Sequence, residues 1–162
     1  MSPPSSVEDP VFMRAALEQA AQSAAVGEVP IGAVLVHEGA VLARAHNHRE
    51  AWQDPTAHAE LIVIQEGAKA LGRWRLVDTT LFVTLEPCAM CLGAIVLARI
   101  PRLVFGARDP KAGACGSVLD FASDARLNHR VEVVGGVMEE ESQRMLTEFF
   151  KGLRAQSDCS AS

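Results

Sequence analysis

The chain has 162 residues, 49% of them apolar, and a formal net charge of −5. That length supports one domain with a sizeable core, and the apolar content excludes a disordered chain. No uninterrupted apolar run is long enough to span a bilayer, and the acidic balance speaks against a general nucleic-acid binder.

Met1 to Asp9 is polar, holds Pro3, Pro4, Ser5 and Ser6, and lacks the basic start and apolar stretch of a secretory signal. Residues 1–9 therefore read as a flexible tail. Asp9-Pro10 reads as an N-cap followed by proline at the first helical position. Phe12, Ala16, Leu17, Ala20 and Ala24 keep helical spacing until Gly27 and Pro30 end the run. Ile31 to His37, a turn at Glu38-Gly39 and Ala40 to Ala45 predict a hairpin. Asn47 to Ala57 reads as a loop in which Trp52 is expected as a packed anchor, the alternative being an exposed side chain of use in recognition. Thr56 is placed to cap a helix from about Ala57 to Leu71. Thr80 to Leu85 predicts a strand, and Pro87 opens a helix over Cys88 to Leu97. Leu103 to Gly106 is a further strand, Asp109 to Ser117 a Gly-rich loop, and Val131 to Val134 a fifth strand. Met138 to Arg154 predicts a terminal helix with Met145, Leu146, Phe149 and Leu153 on one face. Residues 10–154 read as a single domain and 155–162 as a flexible polar tail. The expected order, α-β-β-α-β-α-β-α-β-α, suggests a sheet sandwiched by helices.

The chemistry concentrates at His58-Ala59-Glu60 and Pro87-Cys88-Ala89-Met90-Cys91. Cys88 and Cys91 lie one turn apart at a helix start, where free N–H groups and the helix dipole favour thiolates. Soft sulfur plus imidazole suits zinc over magnesium or calcium. A structural zinc site closes with four protein ligands, whereas a catalytic one commonly uses three and keeps a place for water. Cys115, Cys159, His46, His48 and His129 are the remaining candidates for a fourth ligand, and none recreates a second paired motif. Glu60, two residues from His58, is placed to move the protons of a zinc-activated water. A first-turn glutamate is ordinarily a solvated helix-start acid, and a zinc module used only for folding would have no need of it. Cys-x-x-Cys beside a histidine motif also favours metal binding in a reducing cytoplasm over disulfides.

His-x-Glu followed by Pro-Cys-x-x-Cys is the signature of zinc nucleobase deaminases. Over about Val11 to Arg154 the chain resembles one branch, the bacterial tRNA-specific adenosine deaminases. The resemblance is carried by Glu28-Val29-Pro30-Ile31-Gly32-Ala33-Val34-Leu35-Val36, Asp54-Pro55-Thr56-Ala57-His58-Ala59-Glu60 and Thr84-Leu85-Glu86-Pro87-Cys88-Ala89-Met90-Cys91. It continues through Val104-Phe105-Gly106-Ala107-Arg108-Asp109, Asn128-His129-Arg130-Val131-Glu132 and Phe149-Phe150-Lys151. The Cys-containing motif is common to many deaminases, and the later segments narrow the match.

That resemblance implies a three-layer α/β/α, cytidine-deaminase-like fold with a central five-stranded mixed sheet, and a homodimer. It implies one Zn2+ per subunit on His58, Cys88 and Cys91, with Glu60 as proton shuttle. The implied reaction is deamination of the wobble adenosine to inosine in the anticodon stem-loop of a tRNA, an arginine tRNA being expected, in the cytoplasm. By the same analogy Asn47 touches the target nucleoside, and Val29 and Pro30 border the base pocket. Asp109 lies near the flanking RNA, with Arg108 and Lys111 close to phosphates. Cys115 has no implied role and is expected as a packed small residue.

Residues 99–136 carry six basic against four acidic side chains, a local reversal of the overall sign. Anticodon loops offer unpaired bases that can be splayed out for chemistry. The chain has no Tyr, two Trp and six Phe, so extensive aromatic stacking platforms are not expected. The rival reading is a deaminase of a free base such as guanine or cytosine, which would share the metal motif.

Overall fold

The computed structural model describes residues 6–161. Its elements are α1 (Asp9–Ala25), β1 (Gly32–His37), β2 (Ala40–His46), α2 (Arg49–Trp52), α3 (Ala59–Leu71), β3 (Thr79–Leu85), α4 (Ala89–Leu97), β4 (Arg102–Ala107), β5 (Glu132–Val134) and α5 (Glu139–Ser160). The five strands form one sheet in the order β2-β1-β3-β4-β5. β1 runs antiparallel to both β2 and β3, while β3, β4 and β5 are parallel, so the sheet is mixed as expected.

Alternation along the strands explains the layers. Ala33, Leu35, Leu81, Val83, Leu103 and Phe105 face one side, where they pack with Ala59 and Val63 of α3 and Leu92, Ile95 and Val96 of α4. Val34, Val36, Phe82 and Val104 face the other, against Met13, Ala16 and Leu17 of α1 and Met145 of α5. Both sheet faces are covered, which is why the strands read as continuous apolar runs. The β1–β2 hairpin closes through Glu38 and Gly39, both at positive φ, the geometry that two-residue hairpin loops favour.

Several local expectations are corrected. Asp9 is the first residue of α1 rather than its cap, and it belongs to the folded body rather than the tail. Its carboxylate, 1% exposed, takes two 2.8 Å hydrogen bonds from the Arg102 guanidinium at the start of β4, and a third from the Ser6 amide. The rest of the expected tail, residues 1–5, lies outside the described residues. The 47–57 loop contains the short helix α2. Thr56 caps nothing: its hydroxyl donates to Asp54, and α3 begins two residues later than its capping position allows. The helix expected between β4 and β5 is absent among the described residues; turns and two isolated bridges span that crossover. Its glycines and lack of apolar periodicity give no helix face to bury. The terminal helix runs past Arg154 to Ser160, through the stretch expected as a tail, because nothing in Ala155 to Cys159 breaks a helix already nucleated. No described helix is long and apolar enough to cross a membrane.

The topology gathers four chain segments at one end of the sheet. The start of β1 and the end of β2 meet there because the hairpin is antiparallel. The ends of β3 and β4 join them because those strands are parallel. Cross-links hold the segments: the Asn47 amide donates to Ile31, the Gly32 amide to the Thr84 hydroxyl, and the Glu86 amide to Ala107. Strand carboxyl ends at a change of topology are where open α/β sheets bind ligands.

Burial alone would raise the Asp9 pKa, but the hydrogen bonds from Arg102 and Ser6 outweigh it and hold Asp9 below 3.8. The stability it contributes is present above 3.8 and is lost as pH falls through the depressed folded value. Asp9→Asn is expected to cost about 3 kcal/mol at pH 7, the low end for a buried pair because Arg102 keeps some solvent contact. In denaturant titrations the gap to the native chain should narrow below pH 3.8. A gap unchanged down to pH 2.5 (roughly the lower end of acid unfolding) would show that the Asp9 charge contributes nothing.

Candidate metal centre

α3 and α4 begin at the gathered end of the sheet, and their N-cap residues are His58 and Cys88. Both caps have extended backbone, so each side chain turns off its helix axis toward the other. Cys91, one turn into α4 and fully buried, points to the same place. The His58 Nδ1 lies 3.9 Å from the Cys88 Sγ and 3.5 Å from the Cys91 Sγ. Two donors on one tetrahedral zinc, at bond lengths of about 2.0 and 2.3 Å, sit roughly 3.5 Å apart. The donor set therefore fits zinc without rearrangement. His58, Cys88 and Cys91 are the only such cluster among the described residues, and no fourth His, Cys, Asp or Glu joins it.

The helix start also sets the charge. Hydrogen bonds from the Cys91 thiol, His58 and the Cys91 backbone amide draw the Cys88 thiol far below its ordinary value. The same thiol–thiol bond, with burial, pushes Cys91 up. The site thus favours the thiolate form at Cys88, the form that binds a metal.

Glu60 lies in the first turn of α3 and is 4% exposed. Its Oε2 is buried without a hydrogen-bond partner among the described residues. Burial raises its carboxyl to about 7, within the range where a group can both take and give a proton at neutral pH. A solvated helix-start acid would show none of this.

Asn47 is buried, and its Oδ1 accepts from the Ala59 amide at 2.9 Å. It therefore caps the helix that carries His58 and Glu60, the role expected of Thr56. Val29 is half-buried and Pro30 buried at the start of β1, one hydrogen bond from Asn47 through Ile31. Asp109 is half-buried and turned into its own loop, accepting from the amides of Lys111 and Ala112. Arg108 and Lys111 are exposed on that loop. Cys115 is half-buried against the core, and burial pushes its thiol up to about 12, an inert packed position.

Two buried glutamates escaped the sequence reading. Glu86 accepts hydrogen bonds from the amides of Asp109 (2.9 Å), Cys115 (3.0 Å) and Ser117 (3.1 Å), and from the Ser117 hydroxyl. Burial opposes its ionisation, yet these bonds bring its pKa below the ordinary value. A Cβ at Gly113 would run into the Glu86 carboxylate and the Asp109 carbonyl. Gly113 also bridges to Cys88, and the Ala114 amide donates to Pro87. Glu86 thus fastens the 109–117 loop to the turn that presents Cys88. Glu28 is buried likewise and accepts from the Ala51 amide at 2.7 Å, tying α2 to the start of β1. The one signal available was position: each glutamate adjoins a motif residue, Val29-Pro30 or Pro87-Cys88.

The sequence model of the MafB19-like deaminase family matches residues 7–154. A tRNA-specific adenosine deaminase of Bacillus subtilis (strain 168) is 53% identical over 147 residues, 91% of each chain. One of Haemophilus influenzae is 48% identical over 147 residues, 90% of this chain and 85% of that one. A solved structure from work on A-to-I editing by tRNA:A34 deaminases at the wobble position superposes with a TM-score of 0.81 at 48% identity. It covers 84% of this chain and 99% of that one. The chain belongs to the tRNA-specific adenosine deaminase family, and its layered sheet is that family's cytidine-deaminase-like fold.

Zinc content after gel filtration is expected near one ion per chain, to collapse in Cys88→Ala and to survive in Glu60→Gln. Tight stoichiometric zinc in Cys88→Ala would remove Cys88 from the ligand set. Glu86→Ala strands several amides and should cost roughly 3 kcal/mol. Amide exchange at Asp109, Cys115 and Ser117 should accelerate ahead of the sheet core; uniform exchange would mean that Glu86 does not fasten the loop.

Proposed function

We propose that this chain is a zinc-dependent deaminase that converts the wobble adenosine of a tRNA anticodon loop, in an arginine tRNA, to inosine and ammonia in the cytoplasm. The observation that carries this reading is the unpartnered, proton-ready Glu60 oxygen beside a three-donor zinc set, in a chain of the tRNA-specific adenosine deaminase family. His58, Cys88 and Cys91 would hold zinc, which would supply Lewis-acid activation of water near neutral pH. Glu60 takes a proton from the attacking water and delivers it to a ring nitrogen of the adenine. The C6–O bond forms in that step; Glu60 then takes the remaining proton of the added hydroxyl and passes it to the departing amine, so C6 becomes a carbonyl, the C6–N bond breaks and ammonia leaves. Asn47 spends its oxygen on the Ala59 amide and keeps its NH2 group to donate to the nucleoside. Val29 and Pro30 border the base, Asp109 lies by the flanking nucleotides, and Arg108 and Lys111 supply charge for phosphates. The same reading includes a homodimer, for which the exposed apolar side chains of Met90, Leu97, Val118 and Leu119 offer surface.

The test is to incubate the zinc-loaded protein with an arginine tRNA bearing adenosine at the wobble position and to sequence for inosine. Conversion is expected, with a loss of roughly 100-fold or more in Glu60→Gln. Turnover of guanine or cytosine without inosine formation would replace this reading with that of a free-base deaminase.

A further inference from the structure

Trp52 does not anchor its loop. It is 54% exposed at the end of α2, and its indole lies on the His48 ring at 4.4 Å between centroids and 10° between planes. His48 in turn lies on His46 at 4.2 Å and 27°. Three rings, His46, His48 and Trp52, stack in sequence, and of these Trp52 is the exposed one.

The stack is held in place. The Trp52 amide donates to the His48 carbonyl, and the His48 amide to Ala57, just before the metal donor His58. The buried Glu28 carboxylate fixes Ala51. His46 and His48 flank Asn47, whose carboxamide caps the helix of His58 and Glu60. Arg49 is exposed at the start of the same short helix that ends in Trp52. Burial, with repulsion from His46, lowers the His48 pKa below 6.5, so its ring is uncharged near neutrality and offers an aromatic face rather than a cation.

We propose that Trp52, backed by His48 and His46, is a stacking platform for an unpaired RNA base next to the deaminated nucleotide, with Arg49 beside it for the phosphate of that nucleotide. This rests on the tRNA reading above and extends it to a binding residue. A flat π-face accepts any base, and a neighbouring guanidinium accepts the backbone charge, the combination that recognises single-stranded nucleic acid. When the target adenine leaves the stack, its neighbour loses a stacking partner. An aromatic face near the metal centre replaces that partner, which lowers the cost of flipping. The composition argues against extensive platforms; a single tryptophan stacked on two histidines makes a small one.

The chain has two tryptophans, so Trp74→Phe leaves Trp52 as the sole indole reporter. Titrating the zinc-loaded Trp74→Phe protein with an anticodon stem-loop RNA is expected to quench Trp52 fluorescence saturably. Trp52→Ala should raise KM for the stem-loop roughly 5- to 100-fold with a smaller change in kcat. Trp52→Leu, which keeps apolar bulk without a π-face, should behave like Trp52→Ala, and Trp52→Phe should recover most of the loss. Inosine formation without quenching, or full KM recovery in Trp52→Leu, overturns the platform while leaving the deaminase reading intact. Quenching by RNA without inosine formation does the reverse. A shift of Trp52→Ala to a smaller species in sedimentation would assign the indole to a contact between copies of the chain and overturn the proposal.

Discussion

Two helices start at one point above the carboxyl end of β3, and their N-cap residues are His58 and Cys88. Each helix start presents unpaired amides and the positive pole of its dipole. Two such poles side by side repel unless negative charge lies between them. The Cys88 thiolate supplies that charge, and the Asn47 oxygen satisfies the Ala59 amide. Two of the three metal donors, His58 and Cys88, stand at N-cap positions, and the third, Cys91, lies one turn into α4.

The buried glutamates show how one residue type takes opposite roles by its hydrogen bonds. Glu86 is surrounded by amides that all donate to it, and it stays ionised, rigid and structural. Glu60 is as deeply buried but has an oxygen with no donor, and its proton is held near neutrality. Desolvation acts on both carboxylates; only the supply of donors differs. The fold thus surrounds with loop amides the carboxylate that shapes the site and leaves one oxygen of the carboxylate beside the metal donors without a donor.

The same economy ties the site to its rim. Glu86 joins the Cys88 turn to the 109–117 loop, and Glu28 joins the start of β1 to α2. Each anchor begins beside a motif residue and ends on a surface segment. The loop carrying Arg108, Asp109 and Lys111 and the helix carrying Arg49 and Trp52 are thereby each tied to a buried glutamate. Neither is a free appendage, which fits surfaces that must meet a substrate without a large ordering cost.

The sequence by itself determined the strands, the hairpin, the helix bearing Cys88 and Cys91, and the identity of the metal donors. These depend on local rules: alternation, turn residues, helical spacing and donor chemistry. What it could not supply was any choice made by a partner distant in the chain. Thr56 had the local features of a cap, but Asn47 reaches Ala59 across twelve positions and displaces it. Asp9 looked like a cap until Arg102, from β4, claimed its carboxylate. Trp52 was judged by its loop setting, whereas its exposure follows from stacking on histidines that the hairpin end brings beneath it. Glu86 carried no motif of its own, since its four donors come from a loop more than twenty residues away. Local periodicity fixes which elements form and which side chains can bind a metal. The pairing of segments far apart in the chain decides which polar groups are satisfied and which are left to react.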